Sequence, residues 1–285
     1  MKVLVLGGGG QVARAVAASV PKHHTVIVKT HKDLDIADEV AVTSALADSG
    51  ADWVVNGAAY TAVDLAETDL KQARKINDTA VGILARATVG AGCRLLHLST
   101  DFVFDGQSNR AYLPTAPTNP LGVYGVTKLG GEQQVLKHGG DAIILRTAWV
   151  YASTGRNFAL TMLRLLREKD EVRVVADQIG TPTWATGIAQ AIWGLIDVSA
   201  AGGIYHWTDL GIATWYDFAT AIQDEALARG LLVRAVPVIP IATSEYPTPA
   251  QRPAFSVLNT QSTRALVSAP ARHWRHNLRL MLNEL

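Results

Sequence analysis

Short apolar runs alternate with longer stretches of helical periodicity through the first half of the chain. Strands are expected at 2–6, 25–29, 53–56, 94–98 and 142–147, where the runs are brief and several are rich in β-branched residues. Between them, 11–19, 39–48, 71–91 and 122–138 read as helices. Strand–helix alternation of this kind builds a parallel sheet covered on both faces. After Tyr151 the rhythm changes. An amphipathic helix is expected at 157–169, a strand at 172–175, a loop at 177–182, a helix at 184–197 and a strand at 205–207. Thr214 and Asp217 stand at capping-box spacing, with Asp in place of the longer Glu, and open a helix toward Ala228. The proline-rich stretch 237–253 reads as loop, and a last helix closes the chain near 273–285. No internal repeat or low-complexity tail interrupts the pattern.

The first strand runs into Gly7-Gly-Gly-Gly10-Gln11-Val12-Ala13 and then a helix that ends before Pro21. Strand, glycine turn and helix make the opening unit of a dinucleotide-binding fold. Gly7 permits the tight turn and Gly10 lets the backbone approach a pyrophosphate. Ala13 allows close helix–strand packing, and the helix N-terminus faces the phosphates. A flexible turn is the plain alternative for a glycine run taken alone.

A second signal lies in Leu121-Gly-Val-Tyr124-Gly-Val-Thr-Lys128. Tyr124 and Lys128, four apart, share one helix face. A phenol near pKa 10 is a poor acid or base at neutral pH, and a neighbouring ammonium is expected to bring it down. The strand at 94–98 leads into Ser99-Thr100-Asp101-Phe102, and ligands in doubly wound sheets bind beyond the carboxyl ends of strands. A hydroxyl there can hydrogen-bond a carbonyl oxygen; a Ser/Thr/Asp turn is the plain alternative. Small residues after Asn56, through Gly57, Ala58 and Ala59, would let a ribose lie against the backbone. After the second strand come Lys29, Thr30, His31 and Lys32, where an NAD-specific chain would usually place an acid. Two lysines suit the 2′-phosphate of NADPH, with NADH use also open; solvated loop lysines explain them equally well.

Composition narrows the class. The chain has 285 residues, a net charge of +1 and 18% charged residues, which gives no electrostatic footprint for nucleic acid. There is no basic leader followed by an apolar segment and no run long enough to span a bilayer, so a cytoplasmic location and no membrane partner are expected. The single cysteine, Cys93, excludes an intrachain disulfide and reads as a buried thiol. The eight histidines lack metal-ligand spacing, and no metal site is expected.

Taken together, these motifs resemble the extended short-chain dehydrogenase/reductases, and within them the dTDP-4-dehydrorhamnose reductase family. The resemblance covers nearly the whole length. It rests on Gly10-Gln-Val12, Val55-Asn56 through Val63-Asp64, Ser99-Thr-Asp101, Tyr124-Gly-Val-Thr-Lys128 and Arg146-Thr-Ala-Trp-Val-Tyr151. Further on it includes Asn157-Phe158, Asp177-Gln178, Gly180-Thr-Pro-Thr183 and Tyr246-Pro-Thr-Pro-Ala-Gln-Arg-Pro253. The glycine turn and the Tyr–Lys pair define only the superfamily; the other blocks are more specific.

The resemblance implies an α/β fold, a Rossmann-type doubly wound parallel sheet with a smaller α/β substrate-binding lobe. Residues 1–151 would form the dinucleotide-binding domain with the catalytic residues. Residues 152–285 would form mainly the sugar-nucleotide lobe, with about 177–207 and 236–258 returning to the first domain. It also implies NAD(P)H-dependent reduction of the C4 keto group of dTDP-4-dehydro-L-rhamnose. Thr100, Tyr124 and Lys128 would be catalytic: Tyr124 the proton donor, Lys128 its tuner and the holder of the nicotinamide ribose, Thr100 orienting the carbonyl. Gly7, Gly10, Gln11, Val12, Asp35, Ile36, Ala59, Tyr60 and Thr61 would line the cofactor, and Asp101, Trp149 and Arg252 would contact the sugar nucleotide. Phe102 departs from the tyrosine many members carry. Ala15 and Thr186 stand where some members hold a dimer-bridging magnesium with glutamates, so a monomer or a weak homodimer without bridging metal is expected. Two alternatives stay open: a reductase for another nucleotide-linked 4-keto deoxysugar, and a non-catalytic dinucleotide-binding regulatory subunit.

Overall fold

A computed structural model describes residues 1–285. The first half runs β1 (Lys2–Leu6), α1 (Gln11–Ala18), β2 (Thr25–Lys29), α2 (Glu39–Ser49), β3 (Trp53–Asn56), α3 (Val63–Ala66), α4 (Leu70–Arg74), α5 (Ala80–Gly90), β4 (Arg94–Thr100), α6 (Val123–His138) and β5 (Ile143–Thr147). The second half runs β6 (Val150–Tyr151), α7 (Phe158–Glu168), β7 (Val172–Val175), β8 (Ile179–Gly180), β9 (Thr183–Trp184), α8 (Ala185–Asp197), β10 (Gly203–His206), β11 (Ala213–Thr214), α9 (Trp215–Leu227), β12 (Val238–Ile241), α10 (Gln261–Leu266) and α11 (Trp274–Leu282).

Six strands form one sheet in the order β10-β5-β4-β3-β1-β2, every pair parallel. The order reverses on either side of β1, the switch point where doubly wound sheets bind ligands. Successive residues of a strand face opposite ways, and β1 divides its residues accordingly. Val3 and Val5 enter a core with α1 and α8, whereas Leu4 and Leu6 enter one with α2 and α5. A third core, built from α7, β7, α9 and α11 around Phe218 and Trp274, lies apart from the sheet. Glu225 of α9 ties that group together by accepting from Arg229, Arg275 and Arg279 at 2.9–3.0 Å. The expected capping box at Thr214 and Asp217 is present in both directions.

Several elements differ from the sequence expectation. The helix expected at 71–91 is broken by a π turn, Lys75–Thr79, between α4 and α5. β4 continues to Thr100, because Ser99 and Thr100 stay in register with Arg146 and Thr147 of β5. Within the stretch 237–253, read as loop, Val238–Ile241 pairs in parallel with β7. Pro240 is tolerated there because the two-stranded ribbon leaves β12 a free edge. The two-residue β8 falls inside the expected loop at 177–182, and α10 had no sequence signal.

Candidate active site

The glycine turn leaves the carboxyl end of β1. Gly7 has φ +77°, and a Cβ on it would collide with the backbone of Gly57 and Ala58 after β3. Only glycine meets both demands. Its carbonyl accepts from Gly10 N–H at 2.8 Å, which closes the turn. Gly10 caps α1 in an extended conformation without a side-chain hydrogen bond to the first turn. The helix therefore begins with N–H groups free to meet an anion. Gly8 N–H donates to Lys29 O at 2.9 Å, which sets the end of β2 and its lysine beside the turn. Gln11 Oε1 accepts from Asn157 Nδ2 at 2.9 Å, and Asn157 in turn caps α7. Val12 packs against the α1–α8 core. Asp35 Oδ1 accepts from Ala37 N–H in the loop after β2, and Ile36 is buried in the α2–α5 core.

The carboxyl end of β4 carries the candidate chemistry. Thr100 Oγ1 donates to Asp101 Oδ1 at 3.0 Å and accepts from Phe102 N–H at 3.2 Å. Burial pushes the Tyr124 phenol up to about 12; the nearby Thr100 hydroxyl opposes that shift, and the Asp101 carboxylate adds to it. The edge of the Phe102 ring meets Tyr124 with centroids 5.5 Å apart. Asp101 is 2% exposed, and burial raises it to about 6 against hydrogen bonds from Ser256 and Thr100. Its Oδ2 is buried without a partner.

Lys128 Nζ donates to Leu98 O at 2.7 Å and lies 3.2 Å from His97 Nε2. The downward pull on Tyr124 comes from Thr100. Lys128 is 2% exposed, and burial lowers it to about 8 while the Glu132 carboxylate pulls it back up. Glu132, one further turn along α6, takes a bidentate pair of bonds from Arg146 at 2.8 and 2.6 Å and one from Ser99. Both ions are almost fully buried, so losing either partner would cost about 3–5 kcal/mol.

The segment Ala59–Tyr60–Thr61 is held by a residue the sequence reading did not single out. Asn77 accepts from Tyr60 N–H at 2.8 Å and donates to Tyr60 O at 3.0 Å and to Thr127 Oγ1 at 3.2 Å. It sits in the π turn, which directs a buried amide inward from a helix otherwise lined with apolar groups. In the sequence Asn77 stands among Arg74, Lys75, Asp78 and Thr79, so nothing there set it apart as a buried amide. Asn56 and His97 are likewise fully buried on β3 and β4 and went unassigned.

A cavity of about 490 Å³ opens between α7, β7 and the 246–252 segment, lined by Phe158, Met162, Gln178, Trp215, Tyr246 and Arg252 among others. Trp149 and Trp215 stack with centroids 3.5 Å apart and planes within 3°. Trp149 holds φ +48°, a conformation bulky residues rarely adopt and one that clusters at ligand sites. Arg252 borders the cavity, yet its guanidinium is bonded to both oxygens of Asp64 at 3.0 and 2.8 Å. Away from this region, His23 and His24 both meet Asp197 Oδ1, clipping the loop before β2 to the end of α8. They precede β2 and so lie at the amino end of the sheet, opposite the candidate site. Ala15 packs against the α1–α8 core, and Thr186 is half-buried in the first turn of α8.

The family model of the RmlD substrate binding domain matches residues 1–285. A dTDP-4-dehydrorhamnose reductase of Burkholderia thailandensis is 40% identical, the match covering 100% of this chain and 99% of that protein. The chain belongs to this family. Among solved structures, the dTDP-4-dehydrorhamnose reductase of Clostridium acetobutylicum superimposes with a TM-score of 0.94 at 36% identity, covering 100% and 99% of the two chains. The Bacillus anthracis protein of the same name, solved in complex with NADP, gives 0.93 at 30% identity over the same shares. The family's reductase chemistry needs a proton donor beside a dinucleotide cradle. In this member the glycine turn after β1 and the β4 end stand at the carboxyl edge of one parallel sheet, with only β3 between the two strands.

Proposed function

We propose that the chain reduces the C4 keto group of dTDP-4-dehydro-L-rhamnose with NADPH, giving dTDP-L-rhamnose. The observation that carries this reading is the placement of Thr100 at the carboxyl end of β4 beside Tyr124 of α6, in a chain that the family model matches over residues 1–285. The residues present fit the cofactor: a glycine turn that a Cβ would block, an uncapped helix N-terminus for the pyrophosphate, and Ala59–Tyr60–Thr61 fixed by Asn77. NADPH supplies the hydride. Tyr124 stays protonated at physiological pH and holds that proton at Oη for the carbonyl oxygen as it gains charge. The Thr100 hydroxyl turns from Asp101 toward the same oxygen and steadies it. Gly7, Gly10, Gln11, Val12, Asp35 and Ile36 would border the cofactor, Lys128 its ribose. Asp101, Trp149 and Arg252 would border the sugar nucleotide, Arg252 from the cavity lined by residues 158–252 and Trp149 through its stack on Trp215, which lines it; we place the two lobes at 1–151 and 152–285.

Lys29 and Lys32 would favour the 2′-phosphate. NADPH should be used at least as efficiently as NADH, and Lys29→Ala with Lys32→Ala should weaken NADPH selectively. Equal losses for both cofactors would remove that role. The activity is tested by offering dTDP-4-dehydro-L-rhamnose with NADPH, following nicotinamide absorbance and identifying the product. Formation of dTDP-L-rhamnose supports the reading. Faster turnover of another 4-keto sugar nucleotide would reassign the substrate, and cofactor binding without turnover of any would point to a regulatory subunit.

A further inference from the structure

We propose that His97 and Asn56 form a buried relay that sets the protonation of Lys128, with His97 its positioning residue. The inference rests on the catalytic reading of Lys128 above and on donor–acceptor accounting. Ala58 N–H donates to Asn56 Oδ1 at 3.0 Å. A backbone N–H can only donate, so the Asn56 amide has one orientation, with Nδ2 toward His97 Nδ1 at 3.0 Å. His97 Nδ1 is therefore an acceptor. The ring is fully buried, and burial, with the Lys128 charge adding to it, holds it neutral. A neutral ring that accepts at Nδ1 carries its proton on Nε2.

That N–H faces Lys128 Nζ at 3.2 Å, while Nζ donates to Leu98 O at 2.7 Å. A neutral amine satisfies both contacts: its lone pair accepts from His97 and one N–H goes to Leu98. An ammonium has no lone pair, and two donors would then face each other in a buried site. Relief would require the other His97 tautomer, which sets a second donor against Asn56 Nδ2. Turning the amide to correct that would leave Ala58 N–H unpaired. The relay thus opposes protonation of Lys128.

The charged and titratable groups around the ammonium are few. On α6 these are Tyr124 and Glu132, the latter favouring the charged form and itself paired with Arg146 of β5. His97 faces it from β4, and Asp101 follows that strand. Burial works against Glu132 to set Lys128 at about 8, and the donor facing Nζ from His97 opposes the charged form in the same direction. The lysine that resembles a fixed cation in sequence is a group poised to exchange its proton near working pH.

The test pairs a spectroscopic readout with a kinetic one. In ¹⁵N-histidine spectra of the wild-type protein, His97 should stay neutral with its proton on Nε2 from about pH 6 to about pH 9. His97→Leu removes the donor facing Lys128. The Lys128 Nζ titration and the basic limb of kcat/KM should both move up by about one pH unit, a tenfold gain in proton affinity. His97→Gln can accept from Asn56 and donate to Lys128, and should restore the wild-type limb. A proton on Nδ1 in the wild type overturns the proposal, as does an unmoved Lys128 titration in folded His97→Leu. The wild-type spectra decide the matter should that variant not fold. Neither NMR readout needs turnover, so a failed substrate assay would remove the proposed function while leaving the relay to be judged separately.

Discussion

Tyr124 is half-buried, and its phenol is pushed up to about 12, so it keeps its proton beside the Thr100 hydroxyl that would share its target. Tyr124→Phe should leave cofactor binding and thermal stability near wild type while lowering kcat by about 10²–10⁴-fold. Near-normal turnover would mean that another group supplies the proton. A second residue carries a pH signature of the fold. Burial raises Asp209 to about 7, against hydrogen bonds from Asn277 and Trp184 N–H. A carboxyl raised in the folded state stabilises fully below its unfolded pKa near 4, and that contribution is lost as pH rises through about 7. Thermal melts should therefore show stability falling between those limits, and Asp209→Asn should flatten the slope. The site residues legible in the sequence were those close together in a motif or at a strand end: Thr100, Tyr124, Lys128 and the glycine turn. His97, Asn77 and the Glu132–Arg146 pair were not, because their partners lie many residues away and meet only once the strands and helices have packed.

At the scale of elements, the weight falls on α6 against the π turn. Gly131 lies so close to Asn77 O that a Cβ would overlap it. Gly131→Ala should destabilise the protein by about 1–3 kcal/mol in urea unfolding. It should also raise the KM for NADPH, since Asn77 holds the Tyr60 backbone. Loss of stability with an unchanged KM would uncouple the π turn from the cofactor site. The sheet strands and most helices could be read from apolar periodicity because burial on both faces writes a continuous signal. The π turn could not: Lys75, Asn77, Asp78 and Thr79, which form it with Ile76, are polar and carry no apolar periodicity in which the extra residue would show. β12 was hidden by its proline and its free edge.

Across the whole molecule, one sheet with two cores carries the cofactor motifs and a third core supplies the apolar lining of the cavity. β10 and α8 come from the second half of the chain yet pack on that sheet, so the two halves are interlocked. Ala15 and Thr186 offer no carboxylate for a bridging cation. Activity and sedimentation should be the same with EDTA and with added magnesium; a magnesium-dependent dimer, or activity lost to EDTA and restored by magnesium, would refute this. The central claim is that the chain sets a sugar-nucleotide carbonyl between its dinucleotide cradle and Tyr124. The most direct measurement is to supply NADPH deuterated at C4 of the nicotinamide, in the position transferred, together with dTDP-4-dehydro-L-rhamnose. The account predicts dTDP-L-rhamnose carrying one deuterium, at C4 of the sugar, with the label nearly absent from the product when Tyr124→Phe is used at equal concentration and time. Product without deuterium, or no reduced sugar from the wild-type protein, would contradict it.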